Sequence, residues 1–169
     1  DRLMDVGAQN ILVPMIDTAE QAEAAAAALR FPPEGTRGVA ASTRAADYGR
    51  APNYLTSANE QACLIAQIET LVAVENIEAI AAVDGVNALF IGPSDLSASA
   101  GHLGNPSAPM VESVIENAIR RIVATGKPCG IFCFDPQKAN TYIEMGVRLV
   151  AVASDVSLLV AGARLIQSK

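Results

Sequence analysis

The chain has 169 residues, 51% hydrophobic and 18% charged, with a positive mean hydropathy; that is ample for one domain with a real core and too apolar for a disordered segment. A formal charge of −6 and a pI near 4.7, with no basic stripe interleaved with aromatics, argue against nucleic acid or an anionic membrane as partner. No apolar run approaches the roughly 18–20 residues that span a bilayer, and the opening DRLMDVGAQN lacks the basic and apolar regions of a signal peptide, so a cytoplasmic location is expected.

Taken in chain order, the elements alternate between strand and helix. Residues 10–14, NILVP, read as a short buried strand. Asp17 and Thr18 offer a helix cap, and Thr18 with Gln21 fits a capping box before the alanine-rich run to Leu29. FPPEGTRG (31–38) is a Pro/Gly loop leading into GVAAS (38–42), a second predicted strand, and Ala51–Asn59 is a predicted helix in an otherwise polar stretch. The third strand is 62–68, backed by the helical pattern of ETLVAVENIEAIAAV. NALFIG (87–92) is the fourth, ending at Gly92-Pro93 before a glycine-rich stretch. Val111, Val114, Ile115, Ala118, Ile119, Ile122 and Val123 form a helical stripe over about Pro109–Thr125. A fifth strand lies within 126–134, an amphipathic helix follows and stops at Gly146, a sixth strand spans 148–155, and a last helix closes the chain. Cys63, Cys129 and Cys133 fall in apolar runs and are expected to be buried reduced thiols, because C-G-I-F-C is not a usual zinc spacing.

Short, near-continuous apolar strands separated by helices mean parallel βαβ units buried on both faces. The fold is therefore a doubly wound sheet or a (β/α)₈ barrel. A barrel expects about 250 residues, so six units look like most of one, with two absent. Neither a G-x-G-x-x-G after the first strand nor a P-loop pattern is present.

In such folds the functional face lies at the carboxyl ends of the strands. Glu69 and Asp95 close consecutive strands, and neighbouring strands lie roughly 5 Å apart, so the two carboxylates can converge. A converging pair is open to three readings: an acid/base couple for glycoside cleavage, a hard-metal site, or acids capping helix N-termini. The Gly-Pro turn beside Asp95 favours the metal, since Mg²⁺ or Mn²⁺ takes one or two protein carboxylates and leaves other positions to water and substrate oxygens.

VGAQNILVPM, RFPPEGTRGV, AQIET, ALFIGPSDLSASAGHLGNP, GKPCGI and GVRLVAVASD closely resemble the class II, metal-dependent pyruvate aldolases of the 4-hydroxy-2-oxoheptanedioate and 2-keto-3-deoxy-sugar-acid aldolase family. The resemblance covers essentially the whole chain. It implies a single partial (β/α)₈ domain over residues 1–169, beginning in the helix before the family's third strand and lacking about the first two βα units. It also implies a homo-oligomer, usually a hexamer, and a divalent metal (Mg²⁺, Mn²⁺ or Co²⁺) held by Glu69 and Asp95. Gln67 would contact pyruvate, the Ser94–Asp95 region would bind its carboxylate, and Phe132 would line the aldehyde pocket. Asp5 matches an aspartate that raises the basicity of the catalytic histidine; the plain alternative is an exposed acid on a terminal helix. The activity implied is reversible cleavage of a 4-hydroxy-2-oxo acid to pyruvate and an aldehyde through a metal-stabilised enolate. No Schiff-base lysine is needed, and Lys127, Lys138 and Lys169 lie in loop or helix contexts. The base histidine and an arginine of the family precede Asp1, whereas His102, the only histidine, falls in a loop, so the isolated chain is expected to be weakly active or inactive. Two competing readings are a CoA-ester lyase of the citrate-lyase-β type and a catalytically incomplete barrel fragment.

Overall fold

A computed structural model describes residues 2–167; the context expected for Lys169 and the end of the last helix predicted from the sequence, residues 168–169, lie outside the described residues. The elements run α1 (Arg2–Asp5), β1 (Asn10–Val13), α2 (Ala19–Leu29), a 3₁₀ turn (Asp47–Gly49), α3 (Tyr54–Gln61), β2 (Cys63–Ile68), α4 (Leu71–Glu75) and α5 (Ile77–Ala82). Then come β3 (Val86–Ile91), α6 (Pro93–Ser99), α7 (Pro109–Ala124), β4 (Cys129–Phe132), α8 (Pro136–Glu144), β5 (Leu149–Ala151) and α9 (Asp155–Gln167).

The five strands are all parallel and stand in the sheet in the order in which they occur in the chain. This order decides between the two architectures. Right-handed crossovers that always step to the next strand on the same side put every helix on one face of the sheet, whereas a doubly wound sheet must reverse at a switch point. The result is a half-barrel: helices outside, a concave strand face inside. Alternation along β2 records it, because Leu64, Ala66 and Ile68 are fully buried under the helices while Ile65 and Gln67 are only partly covered.

The helical layer seals the outer face. Helix α7 buries Val111, Ile115, Ala118, Ile119 and Ile122 along one stripe against β3, β4, α5 and α6, as its periodicity predicts. Helix α2 starts with the predicted capping box: Gln21 N–H donates to Thr18 Oγ1 (3.3 Å) and Thr18 N–H to Gln21 Oε1 (3.2 Å). Gly146 adopts φ +106° after α8, the left-handed turn expected of a glycine stop. The three cysteines are free; Cys129 and Cys133 are buried, Cys63 only partly so, and burial pushes the Cys129 thiol up to about 12, which keeps it protonated and inert.

Two expectations need correction. GVAAS (38–42) is not a strand, so the sheet has five strands rather than six. Strand β1 pairs directly with β2, Asn10 opposite Cys63 through Val13 opposite Ala66, which leaves no slot between them. Val39 and its small neighbours stay exposed, while the preceding backbone is tied to the end of α2 by Thr36 N–H to Ala27 O (2.8 Å) and Arg37 N–H to Arg30 O (2.9 Å). The predicted helix at Ala51–Asn59 forms three residues later at its start, as α3, because Asn53 sits in a left-handed conformation ahead of it.

Ile119→Ala in the centre of α7 removes a fully buried side chain and is expected to cost about 2–5 kcal/mol, whereas Thr18→Ala at the rim should cost only about 1 kcal/mol. Urea unfolding of the two variants measures the contrast; equal losses would contradict this placement of the core.

Candidate active site

Glu69 stands one residue beyond β2, on the Gln67 side of the strand. It is only 3% exposed, yet its carboxylate is not left bare. Oε1 accepts from Met15 N–H (2.8 Å) and Oε2 from Gln67 Nε2 (2.5 Å). Met15 aims its N–H there from a left-handed backbone, φ 55°, which a non-glycine residue adopts at some energetic cost. The capping alternative for Glu69 fails: Thr70 is the N-cap of α4, its Oγ1 accepting from Ala73 N–H (2.9 Å).

Glycine at 92 is required by this arrangement. It follows β3, with its N–H bonded to Ile68 O (3.1 Å), and a Cβ there would lie 2.5 Å from Glu69 Oε2 and 2.8 Å from Gln67 Nε2. Only a residue without a side chain lets β3 pass so close to the Glu69–Gln67 pair. Helix α6 begins immediately after it, with Pro93 at its first position and Asp95 in its first turn, where an acid also suits the helix dipole.

Gln67, Gly92, Pro93, Ser94, Asp95, Phe132 and Phe134 surround a cavity of about 220 Å³ at the carboxyl end of the sheet. Phe132 packs edge-on against Phe90 (4.9 Å between centroids) and lies 6.5 Å from Phe134, forming an aromatic wall opposite the acids. The structure thus brings together five of the six sequence-predicted site residues: Gln67, Glu69, Ser94, Asp95 and Phe132. Asp5 is not with them. It precedes β1 at the amino end of the sheet, and its Oδ1 accepts from Arg37 Nη2 (2.7 Å). It is therefore neither the lone exposed acid of the plain alternative nor a neighbour of Glu69.

Burial raises the Glu69 pKa above the ordinary carboxylate value; the Met15 and Gln67 hydrogen bonds oppose this, and the nearby charges of Asp95 and Asp17 add to it. Asp17 is the member the sequence reading missed. It appeared there only as a cap candidate, but its carboxylate accepts from Thr70 Oγ1 and its carbonyl from Asn76 Nδ2 (2.8 Å). Among the described residues no lysine or arginine forms an ion pair with Glu69, Asp95 or Asp17. Nor, among them, is any group of three or more His, Cys, Asp and Glu side chains set to hold a metal ion. The chemistry of the acids nevertheless suits a hard divalent cation: two carboxylates, one nearly dry, with uncompensated charge and open space for other oxygen donors. His102 lies in the turn after α6 and does not line the cavity.

Comparison with known proteins agrees with this reading of the fold. The sequence profile of the HpcH/HpaI aldolase/citrate lyase family matches residues 1–161. A hydroxypyruvate/pyruvate aldolase of Pseudomonas aeruginosa is 49% identical over 164 residues, covering 96% of this chain and 61% of that protein. A 4-hydroxy-2-oxo-heptane-1,7-dioate aldolase of Salmonella heidelberg is 47% identical over 169 residues, covering 99% of this chain and 64% of its own. A crystal structure of an HpcH/HpaI aldolase/citrate lyase family protein from Burkholderia cenocepacia J2315 superposes with a TM-score of 0.93 at 40% identity, covering 99% of this chain and 66% of that one. The chain spans less than two thirds of the length of these curated relatives.

Two measurements probe the buried carboxylate. Gly92→Ala should displace Glu69 or Gln67 and destabilise the fold by about 1–3 kcal/mol, as overpacking does; an unchanged urea midpoint would contradict the close approach. Because the folded Glu69 pKa is raised, stability is fullest below the unfolded value near 4.5 and falls as pH rises through the higher folded value. In metal-free buffer the urea midpoint should decline across that window, and Glu69→Gln should flatten the decline; identical slopes would refute the assignment.

Proposed function

The chain belongs to the HpcH/HpaI aldolase/citrate lyase family, and on that premise we propose that it is the metal- and pyruvate-binding part of a class II aldolase. The reaction is reversible cleavage of a 4-hydroxy-2-oxo acid to pyruvate and an aldehyde. The observation that carries this reading is the nearly dry Glu69 carboxylate, held from two sides and placed near a second acid at the mouth of a parallel half-barrel. The full architecture in this proposal is a (β/α)₈ barrel that continues the curvature of the five strands. Exposed apolar positions on α9, among them Leu159 (75%) and Ile166 (76%), support assembly into a homo-oligomer such as a hexamer.

Glu69 and Asp95 would hold Mg²⁺, Mn²⁺ or Co²⁺, and a cation there supplies Lewis-acid stabilisation of the negative charge that develops on the pyruvate fragment, worth several kcal/mol. The remaining work belongs to the chain. Met15 N–H and the Gln67 amide fix both oxygens of Glu69, so the carboxylate is oriented before substrate arrives. Ser94 and Asp95 present N–H groups ahead of the first bond of α6, from Leu96 N–H to Gly92 O, and these can receive a substrate carboxylate. Phe132, held edge-on against Phe90, would give the aldehyde side of the cavity an apolar wall. In the cleavage direction the 4-hydroxyl loses its proton, the C4 carbonyl forms, and the bonding pair remains on C3 of pyruvate, to be quenched by a proton.

A coupled assay of pyruvate release from 4-hydroxy-2-oxo acids, run on this chain joined to the family's first two βα units, with Mn²⁺ and then with excess chelator, tests the proposal, with malyl-CoA as the control for a CoA-ester lyase. Chelation should abolish release. Glu69→Gln should weaken Mn²⁺ binding, read by electron paramagnetic resonance, by about 100-fold or more, beyond the usual effect of an outer-sphere change. Release that survives both treatments would overturn the metal reading.

A further inference from the structure

A second cavity adjoins the first. It encloses about 240 Å³, roughly eight times the ~30 Å³ share of a liquid water, between α6, α7 and α8. The two cavities share Pro93, Ser94, Phe132 and Phe134, so the aromatic pair stands between them as a partition.

The far wall of this chamber is Tyr142. The residue is 5% exposed and lines the cavity, yet its hydroxyl has no hydrogen-bond partner among the described residues. The side chain is buried but its oxygen is not among the fully buried polar atoms left unpaired, so the hydroxyl faces the open space of the chamber, where a ligand oxygen can take the place of water. Burial, followed by the neighbouring Cys133, Glu112 and Glu116, pushes the Tyr142 hydroxyl up to about 12, so it remains a neutral group able to donate and accept. Ser94 and Ser107 add two more hydroxyls to the lining, and Ile115 supplies an apolar side.

The charges around the chamber are already spoken for. Lys138 pairs with Glu112, and Asp135 Oδ1 accepts from Gln137 N–H (2.9 Å) and Lys138 N–H (3.3 Å) as the cap of α8. Lys138 is thus set against Glu112 and Asp135, Glu116 nearby is paired with Arg120 (3.5 Å), and among the described residues no unpaired positive side chain lines the chamber. The polar capacity of the chamber is hydroxylic and neutral.

We propose that this chamber is a specificity subsite that takes the distal end of the aldehyde partner and selects a neutral, hydroxyl-bearing aldehyde over a plain alkyl or an anionic one, with Tyr142 as the selecting residue. The inference rests on the aldolase reading for its substrate class. The step it adds is recognition only; no bond is made or broken in the chamber.

The test is titration of the full chain with DL-glyceraldehyde, propionaldehyde and succinic semialdehyde, followed by the Ile115 δ1-methyl resonance. This reporter survives in the Tyr142→Phe variant, which keeps the ring and hence the packing. Glyceraldehyde should bind about five- to tenfold more tightly than propionaldehyde, the difference expected for one neutral hydrogen bond, and more tightly than succinic semialdehyde. Tyr142→Phe should erase the preference over propionaldehyde while leaving propionaldehyde affinity unchanged. Equal affinities, the absence of a saturable shift, or a preference that persists in Tyr142→Phe would each overturn the proposal. Failure of the aldolase reading registers separately, in Mn²⁺ binding and pyruvate release, neither of which reads this methyl group.

Discussion

The candidate site depends on one constraint, the burial of the Glu69 carboxylate at the end of β2. An acid so nearly dry must be hydrogen-bonded or must neutralise. Three separate strand ends meet that demand at once. The end of β1 supplies the Met15 N–H from a left-handed residue, β2 supplies the Gln67 amide, and the end of β3 supplies a glycine because anything larger would collide with both side chains. Each of these local choices is slightly unfavourable taken alone. They persist together because the sheet register fixes the three ends relative to one another, Gln67 opposite Phe90 and Ile68 opposite Ile91.

The opposite end of the sheet carries a different buried charge with a different resolution. Arg37 is 1% exposed and donates to Asp5 (2.7 Å) and to Tyr54 Oη (3.0 Å), with its guanidinium 4.3 Å from the centre of the Phe31 ring. Burial alone would pull the Arg37 pKa down, but Asp5 and Tyr54 outweigh it and the group stays charged. Here every charge has its opposite, as a structural ion pair requires. At Glu69 the neighbouring charges are acids. The contrast between a compensated pair at the amino ends and an uncompensated acid cluster at the carboxyl ends separates scaffold from site without reference to any relative.

Much of the fold was legible because it rests on local periodicity. The stripe of α7, the Thr18–Gln21 box, the Gly146 stop and all five strand positions follow from spacing alone. The failures share a cause. GVAAS has strand composition, but whether it pairs is decided by β1 meeting β2 directly, a long-range fact no window contains. Arg37 lay in a segment read only as a Pro/Gly loop, because the partners that bury it come from α1, α3 and the end of α2. At the site the acids were visible as polar punctuation of apolar runs. The reason for Gly92 was not, since it is the side chain of Glu69 on the neighbouring strand that forbids a Cβ there.

The aromatic partition shows how a parallel sheet can divide one mouth into two chambers of different chemistry. Gly130 on β4 leaves room for the Phe90 ring, which a Cβ there would approach to 2.4 Å, and Phe90 in turn carries Phe132 edge-on. Phe90 and Phe132 therefore take their position from the sheet, while Phe134 lies two residues beyond the end of β4. On one side of them lie Asp95 and Gln67, with Glu69 hydrogen-bonded behind the glutamine, a set suited to a cation and a carboxylate. On the other lie a buried phenol and two serine hydroxyls with the nearby charges already paired or capping. A molecule that spans both chambers must be anionic at one end and neutral and hydroxylated at the other, which is the polarity of a 4-hydroxy-2-oxo acid whose aldehyde half carries no charge.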